Sequence, residues 1–265
     1  MSATIHPTAV VDPAAQLGTN VTVGPMCVIG KDAVLHDGVN LISQVSIDGH
    51  TEIGEGSTLY PFVSLGHPPQ DFKHKGGRVG IKIGKRNTLR ENVTVHPGTD
   101  VGRADTTIGD DCYFMVGAHV AHECRLGNSV TFSNYVQIGG SVTIGDNVIM
   151  GGLSAAHQFT RIGDHAFVGA MALVTTDVIP FGSVIGNHAH LAGLNVVGLK
   201  RRGFDRETIS DLRSAYRLLF AQEGTFKERL TDCSRIYSNH PQVMEIVRFI
   251  ETQDKRSICM PHTGR

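Results

Sequence analysis

The hydrophobic positions of this chain recur every six residues over most of its length. From Ile5 to Leu65 every sixth residue is aliphatic, the pattern resumes in the same register at Ile83, and it slips by one residue before Ile108 and again before Ile179. A period of six fits neither an amphipathic helix nor the alternation of an isolated strand. It is the period of a parallel β-helix made of hexapeptide units. The positions predicted to point inward are Ile5, Val11, Leu17, Val23, Ile29, Leu35, Leu41, Ile47, Ile53, Leu59, Leu65, Ile83, Leu89, Val95, Val101, Ile108, Phe114, Val120, Leu126, Phe132, Ile138, Ile144, Met150, Ala156, Ile162, Val168, Val174, Ile179, Ile185, Leu191 and Val197.

Each hexapeptide is expected to form one short strand and one turn. Glycine often follows the inward residue, and Gly, Asn and Asp suit places where the chain must bend. Three units close a triangular coil of about eighteen residues, and roughly ten such coils stack at about 4.8 Å. The period does not fix the handedness of the coil.

Two segments depart from the period and predict loops. The stretch GHPPQDFKHKGGRVGIK, residues 66–82, contains Pro68 and Pro69, which cannot donate to a ladder. The register slips again near residues 102–107, which predicts a shorter loop.

The chain changes to a helical pattern after the last hexapeptide. Asp205 is placed to cap one helix, Thr225 and Glu228 form a capping box for a second, and Pro241 opens a third. The sequence therefore predicts a β-helix over residues 1–198 and a helical appendage over residues 199–265.

Composition and charge narrow the functional classes. The net charge of −1 gives no field that favours nucleic acid, and no run is long and apolar enough to span a membrane. The five cysteines are an odd number without CxxC spacing, so a disulfide framework is not expected. A reduced, cytoplasmic protein without nucleic-acid partners is expected. Because a thin triangular prism has no internal cleft, ligands are expected between prisms, and a homotrimer is the natural count from shape.

The strongest candidates for catalytic residues lie in the segment VGAHVAHEC, residues 116–124. Coil stacking places His122 beneath Gly140, and Gly140 beneath Gln158. A histidine base then lies one strand spacing, about 4.8 Å, from a backbone amide that no side chain obstructs. This pairs a general base with an oxyanion donor, and Glu123 is placed to orient the imidazole.

Other interpretations remain open from the residues alone. A histidine on a coil surface is most often merely solvated. A hydratase with zinc bound between prisms would use His96, His119 and His122, but a separation of three does not favour two ligands on one face of a strand. A non-catalytic scaffold is also compatible with the repeat. The run LKRRGF, residues 199–204, is either a solvated helix entry or a binding site for a pyrophosphate or an acidic carrier protein.

Several motifs resemble the bacterial UDP-N-acetylglucosamine O-acyltransferase family, whose members catalyse the first step of lipid A synthesis. The motifs run the length of the chain: HPTAVVD, IGKRNTLRENVTVHPGT, AHVAHEC, AHQF at 156–159, GNHA at 186–189 and NVVGLKRRGF at 195–204. The last is the most specific because it joins the repeats to the helices. The resemblance implies a left-handed β-helix and a homotrimer with active sites between prisms. It also implies transfer of an (R)-3-hydroxyacyl group from acyl carrier protein to the 3-position of UDP-N-acetylglucosamine. No metal and no cofactor is implied, since the acyl-phosphopantetheine of the carrier protein is the donor.

The resemblance also assigns roles to residues. His122 is implied as the general base, Glu123 as its orienting carboxylate and Gly140 as the oxyanion amide. Ala170 and Met171 fall where the family measures acyl length. The other implied substrate contacts are Asp71, Lys73, His119, His157, Gln158, Asn187, His188, Asn195, Arg201 and Arg202.

The chain departs from the family at four of these motifs. Glu123 stands where Asp is common, Ser141 where His is common, Pro97 where Arg is common, and Val197 where an acidic residue is expected. These departures leave open whether the acceptor is a 3-hydroxyl or a 3-amino sugar. The related N-acyltransferase of the next glucosamine intermediate is disfavoured because the repeats begin at Ile5.

Overall fold

Twenty-eight short strands and four helices make up the computed structural model, which describes residues 2–252 and 255–262. The strands are β1 Thr4–Ile5, β2 Val10–Val11, β3 Gln16–Leu17, β4 Thr22–Val23, β5 Val28–Ile29, β6 Val34–Leu35, β7 Asn40–Leu41, β8 Ser46–Ile47, β9 His50–Ile53, β10 Thr58–Leu59, β11 Ser64–Leu65, β12 Gly80–Ile83, β13 Thr88–Leu89, β14 Thr94–Val95, β15 Asp105–Ile108, β16 Tyr113–Phe114, β17 His119–Val120, β18 Arg125–Leu126, β19 Thr131–Phe132, β20 Gln137–Ile138, β21 Thr143–Ile144, β22 Ile149–Met150, β23 Ala155–Ala156, β24 Arg161–Ile162, β25 Phe167–Val168, β26 Leu173–Val174, β27 Gly182–Ile185 and β28 His190–Leu194. The helices are α1 Val196–Arg201, α2 Arg206–Leu219, α3 Phe226–Ile236 and α4 Pro241–Glu251.

The strands form the three faces of a triangular prism. Up to β26, every third strand belongs to the same face: the first face starts at β1, the second at β2 and the third at β3. Neighbours on a face pair in parallel with an offset of eighteen residues, as in His119 with Gln137. The predicted parallel β-helix is therefore the architecture of residues 4–185.

Both predicted loops leave the prism at the same edge. Across the first loop the pairing offset is thirty residues, as in Ser64 with Thr94, and across the second it is twenty-five, as in Thr94 with His119. Both loops connect a second-face strand to a third-face strand, so they emerge where those faces meet, here called the second–third corner.

The predicted loop boundaries were partly wrong. The first loop covers residues 66–79 rather than 66–82, because Gly80–Ile83 is strand β12. The second covers residues 96–104, and Val101 lies in it 61% exposed instead of pointing inward.

The core consists of two inward rows for each face. The predicted aliphatic row is buried from Val23 to Val174 apart from Val101, whereas Ile5 is 44% exposed because β1, the outermost described strand of its face, pairs on one side only. The second row lies two residues earlier in each unit and contains smaller residues. Cys27, Cys112 and Cys124 are in this second row. These cysteines therefore fill the core.

The left-handed turn residues are not the glycines that the sequence suggested. The residue with positive φ comes three positions after the inward residue and is usually not glycine, as at Tyr135, Ser141 and Met171. The glycine directly after the inward residue serves close approach instead. A Cβ on Gly24 would overlap the carbonyl oxygen of Ile42 in the next coil.

The hexapeptide pattern ends earlier than predicted. Strands β27 and β28 form an antiparallel hairpin, so Ile185 is 45% exposed at its end. Val197 is 62% exposed because it lies in α1 and not in a strand. The predicted boundary at 198 consequently falls inside a helix that the sequence analysis missed.

The three predicted helix starts were correct. Asp205 accepts a hydrogen bond from the Thr208 amide, Thr225 and Glu228 form the capping box, and Pro241 is in the first turn of α4. The last residues of the predicted helical region, 263–265, lie outside the described residues, as do 253 and 254. Within the described part, residues 255–262 return to the end of the prism, where Ile258 pairs with Asp177 and Pro261 with Leu191.

Candidate active site

His122 and Gly140 are in direct contact at the second–third corner. They occupy successive turns of the stack, and Ser141 N donates a 2.9 Å hydrogen bond to His122 O. A Cβ on Gly140 would lie 2.5 Å from Nε2 of His122. The imidazole thus rests on the bare backbone of Gly140, as the stacking argument predicted.

The amide of Gly140 is available to a ligand. Within the described residues it donates no hydrogen bond. At the corner between the third and first faces, equivalent turn amides are satisfied by the next coil: Asp110 N donates to Asn128 Oδ1, and Asn128 N to Asp146 Oδ1. Above Gly140 the equivalent residue is Gln158, and its side chain accepts no hydrogen bond from the Gly140 amide within the described residues. An unpaired N–H beside a base is the arrangement that an oxyanion requires.

Glu123 is held firmly, but not by His122. One carboxylate oxygen accepts from Thr99 Oγ1 and the other from Ser141 Oγ at 2.7 Å. The distance from Glu123 Oε1 to His122 Nδ1 is 3.8 Å, beyond hydrogen-bond range. The Nδ1 atom is buried and has no partner among the described residues. The predicted orienting contact is therefore not a direct hydrogen bond here, although the carboxylate lies on the correct side of the ring.

The first loop brings Asp71 close to His122, the predicted base. Its Oδ2 lies 3.9 Å from His122 Nε2, and its Oδ1 accepts from the amide of Lys73 at 2.8 Å. Lys73 itself is exposed. The structure thus unites Asp71 and Lys73 with the corner, because the loop starts and ends there.

His119 is a neutral histidine near His122. Its Nδ1 lies 2.7 Å from Thr94 Oγ1, and its ring meets that of His96 edge-on at 5.0 Å. Burial, followed by the charges of His96 and His122, lowers the pKa of His119 to about 4. Burial also lowers the pKa of His96. His96 and His119 are therefore uncharged at neutral pH.

His157 and Gln158 occupy the next turn above Gly140. Both are exposed, and Phe159 N donates to Gly140 O at 3.0 Å, which fixes the stack. Arg256, near the other end of the chain, donates hydrogen bonds to His157 Nδ1 and to Gln158 O. The corner therefore continues upward from the base.

Ala170 and Met171 lie at a different corner of the same prism. Both are exposed in the turn between the first and second faces. Asn187 and His188 are exposed in the β27–β28 turn, where Ala189 N donates to Leu173 O on the second face. The structure does not unite these four residues with His122 within one chain.

Asn195 and Arg202 lie at the remaining corner and have structural partners. Asn195 is 9% exposed, caps α1 through Gly198 N and donates to His165 O. Arg202 donates to Asn147 O at 2.7 Å, and burial lowers its pKa. Of the three predicted substrate contacts Asn195, Arg201 and Arg202, only Arg201 is exposed.

Two contacts at the second–third corner were not foreseen. Thr99 contacts Glu123 from the second loop. The seven extra residues of this loop break the eighteen-residue count, so the sequence alone does not reveal the contact. Arg256 reaches His157 across ninety-nine positions, and no local pattern carries that information.

The described residues contain neither a cluster of potential metal ligands nor a membrane-spanning helix. No group of three or more His, Cys, Asp or Glu side chains in them is arranged to hold a metal ion. None of their helices is both long and apolar enough to cross a bilayer.

Comparison with known proteins gives the class and then the family. Residues 177–259 match the family described as Udp N-acetylglucosamine O-acyltransferase, Domain 2. The acyl-[acyl-carrier-protein]–UDP-N-acetylglucosamine O-acyltransferase of Caulobacter vibrioides is 55% identical over 257 residues, covering 97% of this chain and 98% of its own length. The enzyme of the same name from Bartonella henselae is 48% identical, covering 97% and 94%. The structure of Francisella novicida UDP-N-acetylglucosamine acyltransferase superposes with a TM-score of 0.94 at 32% identity, covering 98% of this chain and 95% of that one.

The left-handed parallel β-helix with its C-terminal helices defines an acyltransferase of the hexapeptide-repeat class. This chain belongs to the acyl-[acyl-carrier-protein]–UDP-N-acetylglucosamine O-acyltransferase family. The predicted fold class, family and enzyme class are thereby confirmed, as is acyl transfer from acyl carrier protein to UDP-N-acetylglucosamine in the first step of lipid A synthesis. The roles of individual site residues stay predictions.

Proposed function

We propose that His122 and Gly140 carry out the transfer of an (R)-3-hydroxyacyl group to the 3-hydroxyl of UDP-N-acetylglucosamine. The carrying observation is the contact of the imidazole with a glycine whose amide is unpaired within the described residues. His122 Nε2 takes the hydroxyl proton as the sugar oxygen bonds to the thioester carbon. The resulting oxyanion accepts from the Gly140 amide. When the intermediate collapses, the carbon–sulfur bond breaks and the proton passes from His122 to the thiolate.

Glu123 supports this base from a fixed position. Once Nε2 has gained the proton, the imidazolium is stabilised by a carboxylate 3.8 Å from Nδ1. Thr99 and Ser141 prevent the carboxylate from rotating away. No cofactor is needed beyond the acyl-phosphopantetheine of the carrier protein, because every bond change involves only the two substrates and His122.

A homotrimer completes the site. The predicted contacts lie at three corners of one prism, so a single ligand can touch all of them only where neighbouring prisms meet. An exposed apolar row along the first–second corner is suited to such packing. It comprises Met26, Phe62, Tyr135, Leu153 and Met171. Light scattering should give a mass three times the 28.5 kDa of one chain, and a monomeric mass with full activity would contradict the shared site.

The groove that holds the acyl chain is proposed to end at Ala170 and Met171.

The protein is proposed to act in the cytoplasm. The cysteines, all of which fall in the described residues, are buried and unpaired, as a reducing compartment favours.

The test is transfer by the purified protein with UDP-N-acetylglucosamine, its 3-amino analogue and a ladder of hydroxyacyl carrier proteins, with products weighed. His122→Ala should lose nearly all turnover and retain its fold. The matched control is His36→Ala, an exposed histidine paired with Glu52 on the third face. Retained turnover in His122→Ala would refute the assignment, and preference for the amino analogue would redirect it to the N-acyl product.

A further inference from the structure

The C-terminal segment is strapped to the end of the prism next to the second–third corner. Asp177 N donates to Ser257 O at 2.8 Å, and Cys259 N donates to Asp177 O at 2.7 Å. Ile258 and Cys259 are 6% and 3% exposed. Residues 255–262, here called the strap, therefore have a fixed position on the prism, and Arg256 at its start has a defined neighbourhood.

Arg256 reaches the turn that carries His157. Its Nη2 lies 2.7 Å from His157 Nδ1 and 3.0 Å from Gln158 O. A guanidinium keeps its protons at any physiological pH and can only donate. The contact therefore requires Nδ1 to be an acceptor, which puts the ring proton of neutral His157 on Nε2.

The same geometry shows what would happen without the guanidinium. His157 Nδ1 also lies 3.2 Å from Gln158 O, and this oxygen can only accept. With Arg256 absent, a proton on Nδ1 would be satisfied by that carbonyl, and Nε2 would become an acceptor. Arg256 thus decides whether the outer nitrogen of His157 donates or accepts.

We infer that Arg256 is a positioning residue that fixes His157 as an Nε2–H donor toward a carbonyl oxygen of the substrate. The inference rests on the proposed function for its consequence in catalysis, because His157 lies one turn above Gly140. The tautomer itself depends only on the contacts within this chain. Lys255, the neighbouring cation of the strap, instead lies over the ring of Phe159, with Nζ 4.4 Å from the ring centroid.

The tautomer is measured directly by nitrogen NMR of the full-length protein with labelled histidine rings. His157→Gln identifies the signal of His157 by its loss. In the unaltered protein, the shifts should show the proton on Nε2, and in Arg256→Ala they should move toward the Nδ1–H form. Arg256→Lys, which still donates, should restore the first pattern. An identical tautomer in the unaltered protein and Arg256→Ala would overturn the inference.

Steady-state kinetics test whether the tautomer of His157 affects substrate binding. Arg256→Ala should raise KM for one of the two substrates about tenfold with a smaller change in kcat, since one hydrogen bond of about 1.4 kcal/mol corresponds to tenfold in binding. The matched control Lys255→Ala removes a charge from the same strap and should leave KM unchanged. His157→Gln, whose amide nitrogen replaces Nε2, should retain more activity than His157→Asn.

A double variant separates positioning from direct contact. If Arg256 acts through His157, Arg256→Ala should add little to the effect of His157→Asn. Fully additive effects would show that Arg256 contacts substrate by itself and would refute the positioning role. If the unaltered protein transferred no acyl group, the proposed function would fail, while the NMR result would still decide the role of Arg256.

Discussion

Replacing Gly140 by alanine tests whether the bare backbone under His122 matters. Gly140 has a φ outside the left-handed region, so its backbone accepts alanine without strain. The obstacle is the imidazole, whose Nε2 would lie 2.5 Å from the new Cβ. The ring must therefore move from its place over the amide, and kcat should fall by about a hundredfold or more, as when an oxyanion donor is lost.

The expected change in stability depends on whether His122 is present. Overpacking costs about 1–3 kcal/mol, while the reduced freedom of the unfolded chain returns about 0.4–1 kcal/mol. At mid-range these two effects leave a net loss of about 1.3 kcal/mol, or a fall in Tm of about 3–5 °C for a chain of this size. In a His122→Ala background the obstacle is gone, so the same substitution should raise Tm by about 1–4 °C.

Thermal unfolding of the four proteins of this cycle measures the coupling between the two residues. Gly152→Ala is a control for stability, because Gly152 occupies the equivalent turn position and a Cβ there would be 3.5 Å from its nearest neighbour. It should not lower Tm. Equal shifts from Gly140→Ala in both backgrounds would refute the reasoning, since the imidazole would then not be what the methyl group meets.

Three further predictions concern polar groups around the prism. Ser141→Ala removes a donor from the buried Glu123 and should lower kcat about tenfold and stability by about 1–2 kcal/mol; unchanged kcat would mean that the carboxylate needs no support from Ser141. Burial, with the nearby acidic side chains, raises the pKa of Glu245 to about 7. Because the unfolded chain releases this proton at lower pH than the folded protein, the free energy of unfolding should fall as pH rises from about 4.5 to about 7. The fall should be at most about 3 kcal/mol. Tm scans of Glu245→Gln should lack that fall, and an unaltered slope would contradict the assignment. Arg161→Ala leaves the buried carboxylate of Asp177 without its 2.6 Å partner and should lower the free energy of unfolding by about 3 kcal/mol or more. Arg161→Lys, which keeps the charge, should lower it less. Equal Tm values for the two variants would show that charge pairing with Asp177 is unimportant.

The sequence predicted the fold wherever residues repeat at a fixed interval. Inward positions such as Val120 and Ile138 are periodic because each coil has the same cross-section. The pattern failed at Val101 and Ile185, where a loop or a hairpin places an aliphatic residue outside the repeat. A six-residue count cannot detect such an interruption when the count happens to land on a valine or an isoleucine.

The same rule explains which residues of the candidate site could be placed from the sequence and which could not. His122 and Gly140 were found from the register, because eighteen residues separate them and no loop lies between. Thr99 was missed because a loop does intervene. Ala170 and Met171 could be placed only through a family likeness, since within one chain they lie at another corner from His122.

The eighteen-residue offset gives this prism a unit of length. Coils near the start of the chain pair only with their immediate neighbours, as Val23 does with Ile5 and Leu41. Deleting eighteen residues there would return every strand to a partner on its own face and shorten the prism by about 4.8 Å. Deleting seventeen would turn inward residues outward through all the coils below the junction. Changes in height are thus confined to whole coils, and coils near β1 can be added or removed without disturbing the corner that is proposed to perform the chemistry.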